Sequence, residues 1–129
     1  MPTPRALADQ VEARSRTATS FLTYRGLIAT KPEKGYVSLL FSGGRLYSDR
    51  LDGVQSSLGW SFRAICVGYS DSQCLYVAEK FRDLFVGWRP SGGVGPRFTE
   101  AGDDAPVIRD DSISEDVRYS LTLRYTLNT

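Results

Sequence analysis

The side chains best placed to do chemistry in this chain are carboxylates in adjacent pairs, Asp103-Asp104, Asp110-Asp111 and Glu115-Asp116, together with two cysteines, Cys66 and Cys74. Paired carboxylates can hold a divalent ion for phosphoryl chemistry, but neighbours on a loop converge on one ion only where a rigid scaffold aims them. The chain has no histidine. That removes the commonest general base, excludes a Ser-His-Asp triad and leaves neither thiol an imidazole to activate it. Two cysteines without histidine do not complete an ordinary structural zinc site. Free, buried thiols are the plainer reading, since disulfides are rare in the cytosol. Ser91-Gly-Gly-Val-Gly-Pro96 is glycine-rich but lacks the lysine of a phosphate loop, precedes no helix and matches no dinucleotide fingerprint. It reads as a flexible turn. These residues predict no enzyme, no cofactor and no metal.

The function is then expected in surfaces. At 129 residues the chain suits one domain with one core. No apolar run approaches the roughly 18–20 residues that cross a membrane. Met1-Pro-Thr-Pro-Arg5 lacks the apolar stretch of a signal peptide, so a cytosolic origin is expected. The net charge of +1 argues against a strongly electrostatic nucleic-acid binder. The charge is unevenly spread. Residues 1–99 carry 13 basic and 8 acidic side chains, whereas residues 100–129 carry 3 and 7. The acidic run is either a solvated loop or a negative patch that docks on the basic remainder of a neighbouring copy. Arginine outnumbers lysine 13 to 3, which suits planar ion pairs at interfaces, although base composition can produce the same bias.

The elements that must carry these residues follow from periodicity. Thr3-Pro4 reads as an N-cap and first helical residue, with Leu7, Ala8 and Val11 on one face, giving a helix over about 4–15. Strands are expected over about 21–28 and 36–42. The segment 43–56 is irregular, either a contact surface or a hairpin loop tucked onto the sheet. A strand over 57–68 places Leu58, Trp60, Phe62, Ala64 and Cys66 on one face. Its end is apolar on both faces through Ile65 and Val67, so both must be covered, and a packed helix could do so. A helix over about 72–87 gathers Cys74, Val77, Ala78, Phe81, Leu84, Phe85 and Trp88 on one side. Leu75 and Tyr76 fall off that stripe. Residues 89–116 read as a long exposed loop with at most one short strand, a length that suggests function or ordering by a partner.

The strand over 117–128 alternates without a break. Val117, Tyr119, Leu121, Leu123, Tyr125 and Leu127 face inward, and Arg118, Ser120, Thr122, Arg124, Thr126 and Asn128 face outward. The predicted fold is α+β: a single domain in which an antiparallel sheet of about four strands packs against two helices. On the wet face, Arg118 and Arg124 could contact nucleic acid. However, the stacking tyrosines of such modules would need to share that face, and Tyr119 and Tyr125 do not.

The order of Tyr36-Val-Ser-Leu-Leu-Phe41, Ser48-Asp-Arg-Leu51, Phe62-Arg-Ala-Ile-Cys-Val-Gly68, the helix 73–85, Asp110-Asp111 and the terminal strand resembles the tail terminator (tail completion) proteins of long, non-contractile-tailed bacteriophages, particularly those of actinobacteria. The resemblance spans about residues 36–127. It implies a homo-oligomeric ring, typically a hexamer, that caps the tail tube, stops its polymerisation and offers a docking surface to the head. The implied partners are the tail tube protein and a neck or head-completion protein, with DNA passing through the lumen. It implies assembly in the host cytoplasm, a place at the head-tail junction of the virion, and neither cofactor nor active site.

A ring needs two different complementary patches on each subunit. The candidates are a basic, aromatic loop with Arg45, Tyr47, Asp49 and Arg50, and the acidic Asp103, Asp104, Asp110 and Asp111. Arg118, Thr122 and Arg124 are candidates for the lumen wall. The alternatives are another phage neck or head-closure protein, or a monomeric nucleic-acid-binding domain.

Overall fold

Two long strands hold the molecule together. In this computed structural model the described residues are 3–26, 32, 34–47, 57–90, 99–101, 106–110 and 117–128. Strands β4 (Ser57–Gly68) and β7 (Arg118–Asn128) run antiparallel in register from Gly59 opposite Asn128 to Gly68 opposite Tyr119. The alternation read from the sequence is realised in this pair. Trp60, Phe62, Ala64 and Cys66 of β4 and Leu121, Leu123, Tyr125 and Leu127 of β7 are all buried on one face. Slipping either strand by one residue would turn that apolar set to water, so burial itself sets the register.

The remaining strands are β1 (Leu22–Arg25), β2 (Tyr36–Phe41), β3 (Arg45–Tyr47), β5 (Thr99–Ala101) and β6 (Ile108–Asp110). The path across the sheet is β1-β2-β4-β7-β5, with β3 also on β4 and β6 also on β7. Because β7 occupies one side of β4, β2 and β3 share the other. Likewise β5 and β6 share the outer side of β7. Seven strands therefore fill five rows.

This corrects the sequence reading in three places. The sheet is mixed, because β1 pairs with β2 in parallel, from Leu22 opposite Tyr36 to Arg25 opposite Leu39. The Leu22 amide donates to the Gly35 carbonyl and the Gly26 amide to Leu39, which clamps β1 at both ends. Direction is not encoded in a four-residue pattern, so periodicity could not reveal it. Strand β1 also ends at Arg25, where Gly26 takes a positive φ of 82°; the expected continuation to 28 lies outside the described residues. Finally, strands β5 and β6 lie inside the stretch read as a loop, and β3 inside the segment read as irregular. Strand β5 is held from above. Glu100 accepts two hydrogen bonds from Arg82, at 2.9 and 3.2 Å, tying the row to the second helix.

Both helices pack on one face. Helix α1 (Pro4–Arg16) opens with Thr3, whose hydroxyl accepts from the Ala6 amide, and buries Leu7, Ala8, Val11 and Ser15. Ser15 and Thr23 share a buried hydroxyl–hydroxyl hydrogen bond of 2.7 Å, satisfying two polar groups that burial would otherwise penalise. Helix α2 (Asp71–Phe85) is capped by Ser70, which accepts from the Gln73 amide, and buries Cys74, Val77, Ala78, Phe81 and Phe85. The turn into α2 needs a glycine, because a Cβ at Gly68 would lie 2.5 Å from the Cys74 backbone nitrogen.

The core is centred on Phe62. Its ring stacks on Tyr125 at 5.4 Å and meets Phe85 edge-on at 5.6 Å, while Phe81 and Phe85 stack at 4.5 Å. The opposite face of the sheet carries no helix among the described residues. Val67 is covered there, as its apolar character requires, but without a helix. Its cross-strand neighbours are Tyr36 and Ser120, and Tyr36, itself buried, accepts a 2.7 Å hydrogen bond from Arg118.

Candidate interaction surface

The face of the sheet that no helix covers is built by strand parity. Strand β7 sends Arg118, Ser120, Thr122, Arg124 and Thr126 to it. Strand β4 adds Ser61, Arg63 and Ile65, and β2 adds Ser38 and Leu40. Register then decides which of these meet. Arg63 stands directly opposite Arg124, and Ile65 opposite Thr122.

A β-bulge brings in a third arginine. Phe41 pairs with Phe62 and Arg45 with Gly59, so three residues on one strand (Ser42, Gly43, Gly44) stand against two on the other (Trp60, Ser61). One extra residue reverses the parity of everything after it. Odd-numbered residues of β2 (Val37, Leu39, Phe41) face the helices, yet Arg45 of β3 faces the open side. The bulge is pinned at several points. The Ser42 amide donates to the Ser61 carbonyl at 3.1 Å, and the Ser42 hydroxyl accepts from the amides of Ser61 and Gly44. Trp60 Nε1 donates to the Ser42 carbonyl at 2.8 Å. Gly44 takes φ 79°, which a residue with a Cβ adopts only at a cost.

Small residues at the bulge leave two adjoining depressions. One is lined by Ser42, Gly43, Gly44, Arg45, Gly59, Trp60, Ser61, Arg124 and Thr126; the other by Leu40, Phe41, Ser42, Ser61, Phe62, Arg63 and Arg124. They share Ser42, Ser61 and Arg124 and form one open trough across β3, β4 and β7. Arg45, Arg63 and Arg124 are exposed, and none makes an ion pair among the described residues. Like charges directly opposite on neighbouring strands repel. The trough can therefore bind a carboxylate or phosphate group through planar guanidinium forks.

The structure brings some sequence candidates together and leaves others apart. Arg124 and Arg45 share the trough. Thr122 is exposed on the same face. Arg118 is half-buried, with its guanidinium 5.9 Å from the Tyr36 ring and its Nη1 donating to the Tyr36 hydroxyl, so it is a clasp within the sheet as well as part of that face. Asp110 ends β6 opposite Arg118 and is exposed. Tyr47 ends β3. Asp49, Arg50, Asp103, Asp104 and Asp111 lie outside the described residues. Sequence reasoning placed Arg63 on the polar side of its strand but did not single it out. Its importance comes from its register with Arg124, which no single strand's pattern contains.

The thiols are structural. Cys66 and Cys74 are free and buried, and Cys74 Sγ donates to the Cys66 carbonyl at 3.3 Å. Burial first, and then the nearby Asp71 carboxylate, push the Cys74 thiol up to about 11; burial also raises Cys66. Both are thus held as protonated, poor nucleophiles. Among the described residues no group of three or more histidine, cysteine, aspartate or glutamate side chains could hold a metal ion. No helix among them is long and apolar enough to cross a membrane.

No protein-family model matches the chain, and no curated protein does. Its fold, however, is found in a solved assembly. The chain is similar to a component of the virion of a native gene transfer agent (GTA) particle, with a TM-score of 0.58 and 19% sequence identity, covering 95% of each chain. At that identity the likeness is one of fold, and it extends over nearly the whole length of both chains.

Proposed function

We propose that this protein is a structural subunit of a phage-like virion, and that it assembles as a ring, a hexamer, closing the end of a tail tube. The observation that carries the reading is the fold shared end to end with a gene transfer agent virion chain. The tail-terminator pattern of the sequence supports the finer assignment. So does the form of the surface: an open sheet face beside a short edge suits contact with other copies better than capture of a small substrate. In this reading the ring stops tube growth, offers its outer surface to a neck protein and lets DNA pass without specific binding. It acts as scaffold and not as an enzyme, and sits at the head-tail junction after assembly in the host cytoplasm.

Light scattering after size exclusion, over a range of concentrations, tests the ring. A species of six times the 14.3 kDa chain mass is expected, either alone or after addition of purified tail tubes. A chain that stays monomeric and does not bind tubes would sink the reading. A neck or head-closure role is the nearest alternative, since the fold likeness to a virion chain does not by itself name a position in the particle. Binding to portal-side rings in preference to tubes would select it. A monomeric nucleic-acid binder would show DNA affinity falling steeply with salt.

A further inference from the structure

Resting on the ring reading above, the trough poses an electrostatic problem. A bore wall with unneutralised arginines holds duplex DNA, because each arginine–phosphate contact releases counterions and adds affinity. The trough would contribute Arg45, Arg63 and Arg124 from every subunit, without ion-pair partners among the described residues. Such a surface lines a conduit poorly and seats carboxylates well. Facing each other, Arg63 and Arg124 destabilise the lone chain, and a carboxylate between them reverses the sign of that interaction. Gly43 adds no side chain that would keep a partner's backbone from the floor, since even a Cβ there would meet nothing within 4 Å.

The complementary surface is in the same sequence. Residues 100–116 hold seven carboxylates against one arginine, with Glu100 already engaged by Arg82 of its own chain. Where that stretch is described, it forms the outer edge of the sheet beyond β7, with Asp110 exposed at the end of β6. We propose that the trough formed by Arg45, Arg63 and Arg124 receives the acidic 100–116 stretch of the next copy of this chain. The contact joins two different surfaces, so it is heterologous and propagates head to tail until a ring closes. It places Arg124 at the seam between subunits, away from the bore, and makes Arg63 a principal contact. Neutralising the arginines at the seam also leaves a bore that DNA crosses without being gripped.

The test uses the intact protein and a fluorescein-labelled peptide of residues 100–116, followed by anisotropy at low and at physiological salt, beside an equally labelled short DNA duplex. Saturable peptide binding is expected, weaker by about tenfold or more in Arg63→Glu/Arg124→Glu, with the duplex bound less tightly than the peptide. The milder Arg63→Gln/Arg124→Gln pair should show the same loss, and thermal unfolding confirms that both variants are folded. No peptide binding, equal binding by the folded variants, or tighter binding of the duplex would each overturn the proposal. Tube capping is measured separately. If the arginine variants cap tubes as the parent does, the trough contact is rejected and the ring survives. If the parent binds the peptide but caps no tube, the trough contact stands and the tail reading falls.

Discussion

The two faces of this sheet are made by the same strands and obey opposite rules. On the helix-covered face the long strands present packed apolar groups, with Phe62 in ring contact with Phe81, Phe85 and Tyr125. On the open face arginine stands opposite arginine across neighbouring strands, an arrangement that contributes nothing to folding. One face is optimised for the chain alone. The other carries a small electrostatic cost that no ion pair among the described residues relieves. Local features that oppose stability are where function is to be sought, and the facing arginines of the open side are such a feature.

This contrast can be broken from either side. The largest effect is expected from Phe62→Ala, which empties the centre of the aromatic cluster and should cost about 3–5 kcal/mol in urea unfolding. A loss below about 1 kcal/mol would mean the covered face is not the source of stability. Gly44→Ala should cost about 1–2 kcal/mol, since the bulge holds that residue at φ 79°. If the bulge aims Arg45 as described, the same variant should also weaken binding of the acidic peptide.

Alkaline pH probes the covered face in another way. Cys74, with its thiol raised from 9.0 to about 11, favours the protonated form when folded. Burial raises Cys66 and Tyr125 in the same direction. The Cys74 contribution is therefore complete below pH 9 and is lost as pH rises through 11, and the other two groups extend the fall to higher pH. Unfolding midpoints should fall across that window, and Cys74→Ala should flatten the fall. A flat profile in the parent would contradict the packing around the thiols.

The smallest effect has the opposite sign. Arg63→Thr removes the like-charge pair and supplies a good strand former, so it should raise stability by about 0.2–1 kcal/mol while weakening self-association. A destabilised variant would show that Arg63 already has a favourable partner within the chain.

The elements legible in the sequence were those with long, consistent periods. Strand β7 alternates over eleven residues, β4 over most of twelve, and α2 over four turns, so their inward faces were readable residue by residue. Short strands were not legible. The three residues of β3, β5 or β6 hold too little pattern to distinguish a strand from a loop, and their order depends on partners far along the chain, as Glu100 depends on Arg82. The polar face was foreseen as a face, with Arg118, Thr122 and Arg124 on it. The trough was not, because it needs the register that sets Arg63 against Arg124 and the inserted residue that turns Arg45 round. Both are properties of pairs of strands. The acidic pairs that looked most like chemistry fall largely outside the described residues, and only Asp110 among the six carboxylates has a described position.

The place of β7 in the sheet has a consequence for biosynthesis. The last described strand to leave the ribosome sits next to β4, near the middle of the sheet, and supplies Leu121, Leu123, Tyr125 and Leu127 to the apolar layer. Until it arrives, β4 has one edge unmatched, and β5 and β6 lack the strand they pair with. Nascent and prematurely terminated chains are thus left unfinished, with an apolar strand open to chaperones and proteases. The trough, which needs Arg124 from β7 and Arg63 from β4, is completed in the same step. If the proposed trough contact holds, a subunit gains the ability to join its neighbours only after its own synthesis has passed the point where the fold can close.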